Sequence, residues 1–445
     1  MDLDADLDAL AAYPVLCAYN ANVDAIRRVD SSLESALEAP TDAPEERLES
    51  PGELAAAIAG TMRRGSGDER ALTDAFAATL ETTLSTDEQR LGGQAGIMAD
   101  VLSVLGAAPV LYTYLLSDRQ RAQFSRPERI RFPVATADGI ALRPLDAAPT
   151  AEKTKLNWIF EFDAGDAFFG TTATDASRFI AASRPDEFDL HTPVDSLAGA
   201  LGERVGCAVL SGFHSVKRRY DDGETFETCL DSAASVLRQV GESARVQVEL
   251  GVTHDPDVRR AVRERIVPEA DVVSLDSHEL NQLRADLSAP DPSAGAAVVR
   301  RYETLDRVRG ALGIPAVSFH AKEYFLATFD DRYLPPAAVR RGFDFAACVA
   351  AAKAEDGLVT GPADLGEATA YERAPAGDRA VETLARHLGV AVDDGGVETS
   401  GVVAVPNRVV DVPASTVGIG DAVSVTSFAL ANAAADDEPR PGDGS

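Results

Sequence analysis

The sequence predicts an α/β protein, with a doubly wound, mostly parallel sheet flanked by helices and a smaller β-rich lid domain. Three observations predict it. From Cys207 onward short apolar runs alternate with helix-patterned segments, as parallel strands joined by crossover helices do. Residues 126–164 carry strand-like alternation with few helical signals, enough for a small antiparallel sheet. The apolar runs also end in polar clusters, and ligands of open α/β sheets bind beyond the carboxyl ends of the strands.

Taken in order, an acidic helix runs to about Ala12. The apolar run 14–19 is a buried strand that ends in Asn20-Ala21-Asn22-Val23-Asp24. Residues 30–88 shift to Ala, Glu, Pro and Ser, with helical patterning around 54–59 and 71–84, and read as an insertion. Gly92-Gly93-Gln94 opens another helix, followed by a strand over 109–114. Residues 130–134 and 156–162 are the clearest strands of the lid, whereas 177–185 reads as a helix with Arg178 and Arg184 before a proline stop. Strands then fall at 207–212, 245–250, 271–275, 316–320 and 324–328, with helices near 226–240, 257–266 and 345–353. A valine-rich run, the turn Gly418-Ile419-Gly420-Asp421 and a buried helix over 422–433 close the pattern. This divides the chain into a large nucleotide-binding domain (1–24, 89–125 and 186–432), a lid (25–88 and 126–185) and a disordered acidic tail (433–445).

Composition removes several function classes. The formal charge is −30, from 72 acidic and 42 basic residues among 445. Nucleic acid and anionic membranes need a basic surface, so neither is an expected partner. Such a surface suits a cytosol at molar salt, where the Debye length is about 3 Å and self-repulsion is screened; few lysines and many Asp, Glu and Ala point to a halophile. No window approaches eighteen consecutive apolar residues, and the acidic N-terminus lacks the basic and apolar regions of a signal peptide, so a cytoplasmic protein is expected. Cys17, Cys207, Cys229 and Cys348 have no Cys-x-x-Cys spacing and read as buried thiols.

No Gly-x-x-x-x-Gly-Lys-Ser/Thr occurs, and the first strand is not followed by Gly-x-Gly-x-x-Gly, so neither a P-loop nor a dinucleotide fingerprint is present. The closing turn offers different chemistry. Glycines let backbone amides converge on an anion, and a helix start adds about half a positive charge. An aspartate there has the sign of that anion, so its use is to take a proton from an attacking hydroxyl or to help hold a metal. Taken alone, the turn reads first as a glycine bend capped by Asp421.

The rest of the chain decides between these readings. Asn20-Ala21-Asn22-Val23-Asp24-Ala25-Ile26, Gly92-Gly93-Gln94-Ala95-Gly96, Ser211-Gly212-Phe213-His214, Gln247-x-Glu249, Asp276-Ser277-His278-Glu279 and Thr416-Val417-Gly418-Ile419-Gly420-Asp421 follow in this order over residues 13–432. Together they resemble the archaeal, haloarchaeal-type ADP-dependent sugar kinases, the phosphofructokinase/glucokinase family of the ribokinase-like superfamily. The resemblance implies that Asn22, Asp24, Gly92, Gly93 and Gln94 bind the sugar. It also implies that Gly418 and Gly420 form the anion hole and that Asp421 is the base. Mg2+ is implied near Glu249, Glu279 and Asp421, and ADP as the phosphoryl donor. Members usually carry His-x-Glu and Asn-x-x-Glu where this chain has Gln247-x-Glu249 and Asp276-x-x-Glu279, so both glutamates remain while their neighbours differ.

Lys155 and Arg178 fall where the phosphofructokinases place cations for a sugar 6-phosphate, with Arg184 as a substitute. The implied reaction is transfer of the β-phosphoryl group of ADP to fructose 6-phosphate, giving fructose 1,6-bisphosphate and AMP. A glucokinase or bifunctional enzyme, with Glu88 as the sugar-binding carboxylate, is the alternative, followed by a weakly active sugar- or nucleotide-binding homologue. Trp158 and Phe160 are expected to pack the lid, and His320 to be a hydrogen-bonded structural histidine.

Overall fold

The computed structural model describes all residues but 1, 43, 45, 46, 186, 254, 289–294, 412, 415, 416 and 438–445. In chain order the strands are β1 (Pro14–Tyr19), β2 (Asn22–Arg28), β3 (Arg47–Leu48), β4 (Asp68–Leu72), β5 (Glu88–Gly92), β6 (Ala108–Thr113), β7 (Arg131–Thr136), β8 (Gly139–Pro144), β9 (Leu156–Phe162), β10 (Ala167–Phe168), β11 (Thr171–Thr172), β12 (Ser177–Ser183), β13 (Cys207–Leu210), β14 (Arg245–Glu249), β15 (Val272–Leu275), β16 (Ala316–His320), β17 (Tyr324–Phe329), β18 (Val397–Glu398) and β19 (Val402–Pro406).

Eleven of them form one sheet in the order β18-β19-β17-β16-β15-β14-β13-β1-β6-β7-β8, and six form a second in the order β3-β4-β12-β9-β2-β5. From β16 to β7 every neighbouring pair is parallel. The runs β1, β13 and β15 are buried residue after residue, as strands covered by helices on both faces must be. Two apolar cores follow, one on each face. Leu16, Leu210 and Val248 face one, while Cys17, Val209 and Phe345 face the other. All four cysteines are buried, and none is in a disulfide.

The six-stranded sheet is covered on one face only. In β9, Trp158, Phe160 and Phe162 alternate into a third core with Phe179 and Ile58, so the expected packing role of Trp158 and Phe160 holds. The residues between them point the other way. Asp24 is opposite both Asn157 and Arg90, Arg178 is opposite Glu161, and Glu69 is opposite Ile180. Asp24, Arg90, Asn157, Glu161, Arg178 and Glu69 therefore share one polar face.

Several expectations are corrected. Residues 177–183 are strand β12 rather than a helix, because β9 and β4 pair with them on both sides and only a period of two buries Phe179 and Ala181 while leaving Arg178 on the polar face. Residues 131–144, placed above in the lid, form a hairpin on the edge of the large sheet, where β7 meets β6 at Val110–Arg131. Asn22 and Asp24, placed above at the end of the large domain, begin the interior strand β2 of the small sheet, and the edge strand β5 pairs beside them. Residues 433–437, read as tail, continue the last helix, Ile419–Asp437; 438–445 lie outside the described residues.

Candidate active site

The site is built where β1 leaves the large sheet and, after Asn20 and Ala21, becomes β2 of the small one. Two asparagines and an aspartate are linked there in a chain. Asn20 Nδ2 donates to Asn22 Oδ1 at 3.3 Å, and Asn22 Nδ2 donates to Asp24 Oδ1 at 2.6 Å. Burial pushes the Asp24 carboxyl up to about 6, against the pull of Asn22, Lys155 and Arg178.

Gly92 and Gly93 lie against this chain. A Cβ on Gly92 would stand 2.4 Å from Asp24 Cγ and 2.5 Å from Asn22 Nδ2, and one on Gly93 2.6 Å from the Asn20 carbonyl oxygen. Gly93 also has φ +78° and caps helix Gln94–Val104. Only glycine permits this approach, which leaves amides and acids together at one helix start.

The second wall is the turn at the last helix. Gly418 has φ +68°, and a side chain there would strike Ile97 of the Gln94 helix at 2.7 Å, so the starts of the two helices are packed together. Asp421 lies in the first turn. Burial raises its carboxyl to about 6, and the Lys353 ammonium and Gln94 side chain pull it back down. Sequence reasoning missed Lys353, although it is the sole charge in Ala346–Lys353 of a buried alanine-rich helix, which was a usable signal. Thr416 and Ser415 lie outside the described residues.

An acidic cluster adjoins Asp421. Glu249 ends β14, 4% exposed, and accepts a bond from the Ser424 hydroxyl. Burial holds it up to about 8, with Asp421 and Asp276 adding to the effect. Glu279 is likewise raised well above its usual range, by burial first and then by Asp276, Glu249 and Asp421. Both altered neighbours have structural work. Gln247 donates to the Ser424 hydroxyl at 2.6 Å, tying β14 to the last helix. Asp276 caps helix Ser277–Asp286, accepting from the amides of His278 and Glu279, while Glu279 accepts from the Asp276 amide at 2.7 Å. Glu249, Glu279, Asp276 and Asp421 repel one another, the Lys353 ammonium beside Asp421 offsets only part of that charge, and the group fits a divalent ion. A cleft with about 510 Å3 of space, open solvent included, lies beside Glu249 and Glu279, lined also by His214, Gly251 and Arg259.

Cations gather on the opposite side. Lys155, 3% exposed, donates to Asn20 Oδ1 at 3.1 Å and stands 4.5 Å above the Phe188 ring. Burial lowers it to about 8, and Arg184 adds to that while Glu69 and Asp24 oppose it. Arg184, held by Glu69 at 3.3 Å, is therefore the cation beside Lys155, and Arg178 acts on Asp24. Glu88, the candidate glucose-binding carboxylate, is gripped by both arms of Arg90 at 2.6 Å. His320 departs from expectation. Its Nδ1 is buried without a partner, its Nε2 is 4.0 Å from Glu249, and it abuts Gly420. Asn157 Oδ1, Gln94 Oε1, Arg184 Nε and His214 Nδ1 are also buried and unpartnered, and buried polar atoms left open around one cleft point to a ligand.

A half-buried carboxylate at a helix start, facing amides and acids able to hold hydroxyls, is suited to moving a phosphoryl group onto an alcohol. The fold and site define an α/β phosphotransferase acting on a sugar hydroxyl. Residues 13–430 match the family model described as ADP-specific phosphofructokinase/glucokinase conserved region, and the chain belongs to that family. It is 29% identical to the ADP-specific phosphofructokinase of Pyrococcus furiosus, across 95% of this chain and 97% of that enzyme. It is 26% identical to the ADP-dependent glucose/glucosamine kinase of the same organism, across 93% of each. Among solved structures, an ADP-dependent kinase complexed with fructose-6-phosphate and ADPβS superposes with a TM-score of 0.84 at 25% identity, over 98% of this chain and 97% of that one.

Proposed function

We propose that the protein transfers the β-phosphoryl group of ADP to fructose 6-phosphate, releasing fructose 1,6-bisphosphate and AMP. The observation that carries the choice of sugar is the buried Lys155 with Arg184 beside it, an arrangement that a sugar phosphate dianion completes and a neutral sugar does not. The clasp of Arg90 on Glu88 supports the same choice, since it occupies the carboxylate a glucokinase would use.

In this reading Asn22, Asp24 and the Gly92-Gly93 amides hold sugar hydroxyls and Gln94 orients Asp421. Asp421 removes the proton of the attacking hydroxyl. The amides at Gly418–Gly420 and the helix start stabilise charge on the transferring oxygens. Mg2+ would be held through water by Glu249, Glu279 and Asp421 and would neutralise phosphate charge. The six-stranded sheet acts as the lid that excludes water. The strong negative charge, suited to molar salt, supports a halophilic archaeal and cytoplasmic enzyme.

Assay of fructose 6-phosphate and glucose side by side, each with ADP and with ATP in high KCl, tests this function. Turnover of glucose alone, or with ATP alone, would overturn it. Two further outcomes are expected. Because the Asp421 carboxylate must be ionised, kcat/KM should fall as pH drops through about 6; the Lys353 cation lowers that value, so Lys353→Met should move the acidic limb to higher pH. Glu249→Gln should raise the Mg2+ concentration for half-maximal rate by about 10–100-fold, read from a Mg2+ titration at saturating substrates.

A further inference from the structure

A second cluster lies apart from the cleft and has no part in the reaction described. His191 stands on the segment joining β12 to β13, Glu224 just before helix Phe226–Gly241, and Cys229 in the first turns of that helix. His191 Nε2 is 3.2 Å from Glu224 Oε2, and Cys229 Sγ is 3.7 Å from the same oxygen. Among the described residues this is the only trio of His, Cys, Asp or Glu whose ligand atoms all lie within 4.8 Å of one another. The other imidazole nitrogen, Nδ1, is 3.5 Å from Asp195 Oδ2. Asp195 is itself fixed by Tyr112 and by the Thr192 hydroxyl at 2.7 Å. A carboxylate behind a ligating histidine is how proteins orient the ring and raise its basicity toward a metal.

We propose that His191 Nε2, a Glu224 carboxylate oxygen and Cys229 Sγ bind a borderline-soft divalent cation, of which zinc best matches the nitrogen, oxygen and sulfur donors. Binding displaces the thiol proton of Cys229 and the Nε2 proton of His191 to solvent, leaving thiolate and neutral imidazole as ligands. Asp189, Asp195 and Glu224 surround the imidazole with negative charge, which favours a dication in the same place. Access is through His191 and Glu224, whose side chains are 33% and 34% exposed, while Cys229 is buried beneath them.

Position gives the site its consequence. Phe188, three residues before His191, lies under the Lys155 ammonium and packs on Tyr114 with ring centroids 4.6 Å apart. The Tyr220 hydroxyl donates to the Phe188 carbonyl at 2.6 Å. An ion joining His191 to Glu224 and Cys229 would pin the segment behind Lys155 to helix Phe226–Gly241, a structural staple rather than a participant in catalysis.

The test uses the full-length protein, stripped with a chelator in high KCl and titrated with Co2+ and then Zn2+. One equivalent of Co2+ should bind with a thiolate-to-cobalt charge-transfer band that Zn2+ abolishes. Cys229→Ser should lose the band while keeping Mg2+-dependent turnover close to wild type. Asp195→Asn should weaken Zn2+ binding by about 10–100-fold. Absence of the band in wild type, its persistence in Cys229→Ser, or uptake only at millimolar metal would overturn the site. If Cys229→Ser fails to fold by circular dichroism, Glu224→Gln decides: weaker Co2+ binding with the band retained supports the site, and unchanged affinity removes it.

Discussion

Asp421→Asn should lower kcat by about 10²–10⁴-fold, the usual contribution of a positioned general base, and leave the fold in place. The change is isosteric and removes only the ability to accept the hydroxyl proton. It also removes the charge that Lys353 faces, but Asp100 stands near that ammonium as well, so the half-buried cation keeps a counter-charge. Glu249 and Glu279 lose one repelling neighbour. Thermal unfolding should consequently shift little, while turnover at saturating ADP and sugar collapses. A variant within tenfold of wild-type kcat would remove Asp421 from the chemistry and return it to the role of a capped glycine turn.

Gly92→Ala should be nearly as damaging, by a different route. The added carbon has no free volume, since Asp24 Cγ, Asp24 Oδ1 and Asn22 Nδ2 all lie within 2.5 Å of its position. These are short side chains linked to each other, so they can yield only by breaking the Asn22–Asp24 bond and moving away from the proposed sugar site. Overpacking of this kind costs about 1–3 kcal/mol of stability, and displacement of Asp24 should raise the sugar KM sharply. Gly199→Ala, on an open helical position with nothing within 4 Å, is the control and should be neutral or mildly stabilising. If both substitutions behave alike in KM and melting temperature, the contact at Gly92 is not what holds the sugar wall.

The parts of the site that were legible in the sequence are those whose chemistry is local. Gly93 and Gly418 announce positive φ at a helix start, and Asp421 follows in the same turn, so strand, turn and helix are written within a few residues. The cation placement was legible only in part. Lys155 was visible as a charge beside an apolar strand, but Arg184 was ranked only as a substitute for Arg178, in a segment read as helical. Residues 177–184 hold Arg178 and Arg184, six apart around apolar residues, which fits either period; the choice of strand is made by β9 and β4, distant segments whose pairing no local propensity encodes. Lys353 meets Asp421 across 68 positions of sequence, and Arg90 closes on Glu88 only because β5 is extended. The Gln247 and Asp276 departures looked like changes to a metal site; in three dimensions one is a strut to Ser424 and the other a helix cap, jobs set by packing rather than by motif.

The passage of β1 directly into β2 has a further consequence, for folding during synthesis. Residues 14–28 supply an interior strand to each sheet, yet their neighbours arrive late. β2 waits for residues 88–92 and 156–162, and β1 for 108–113 and 207–210. The earliest strands to leave the ribosome thus wait longest between emerging and having both edges paired, and each late pairing closes a long loop before contacts reward it. Until about residue 210 has emerged, this segment remains a half-covered edge open to association with other chains. Once paired, it couples the two sheets through two residues of backbone, Asn20 and Ala21, and a break in either sheet is carried into the other.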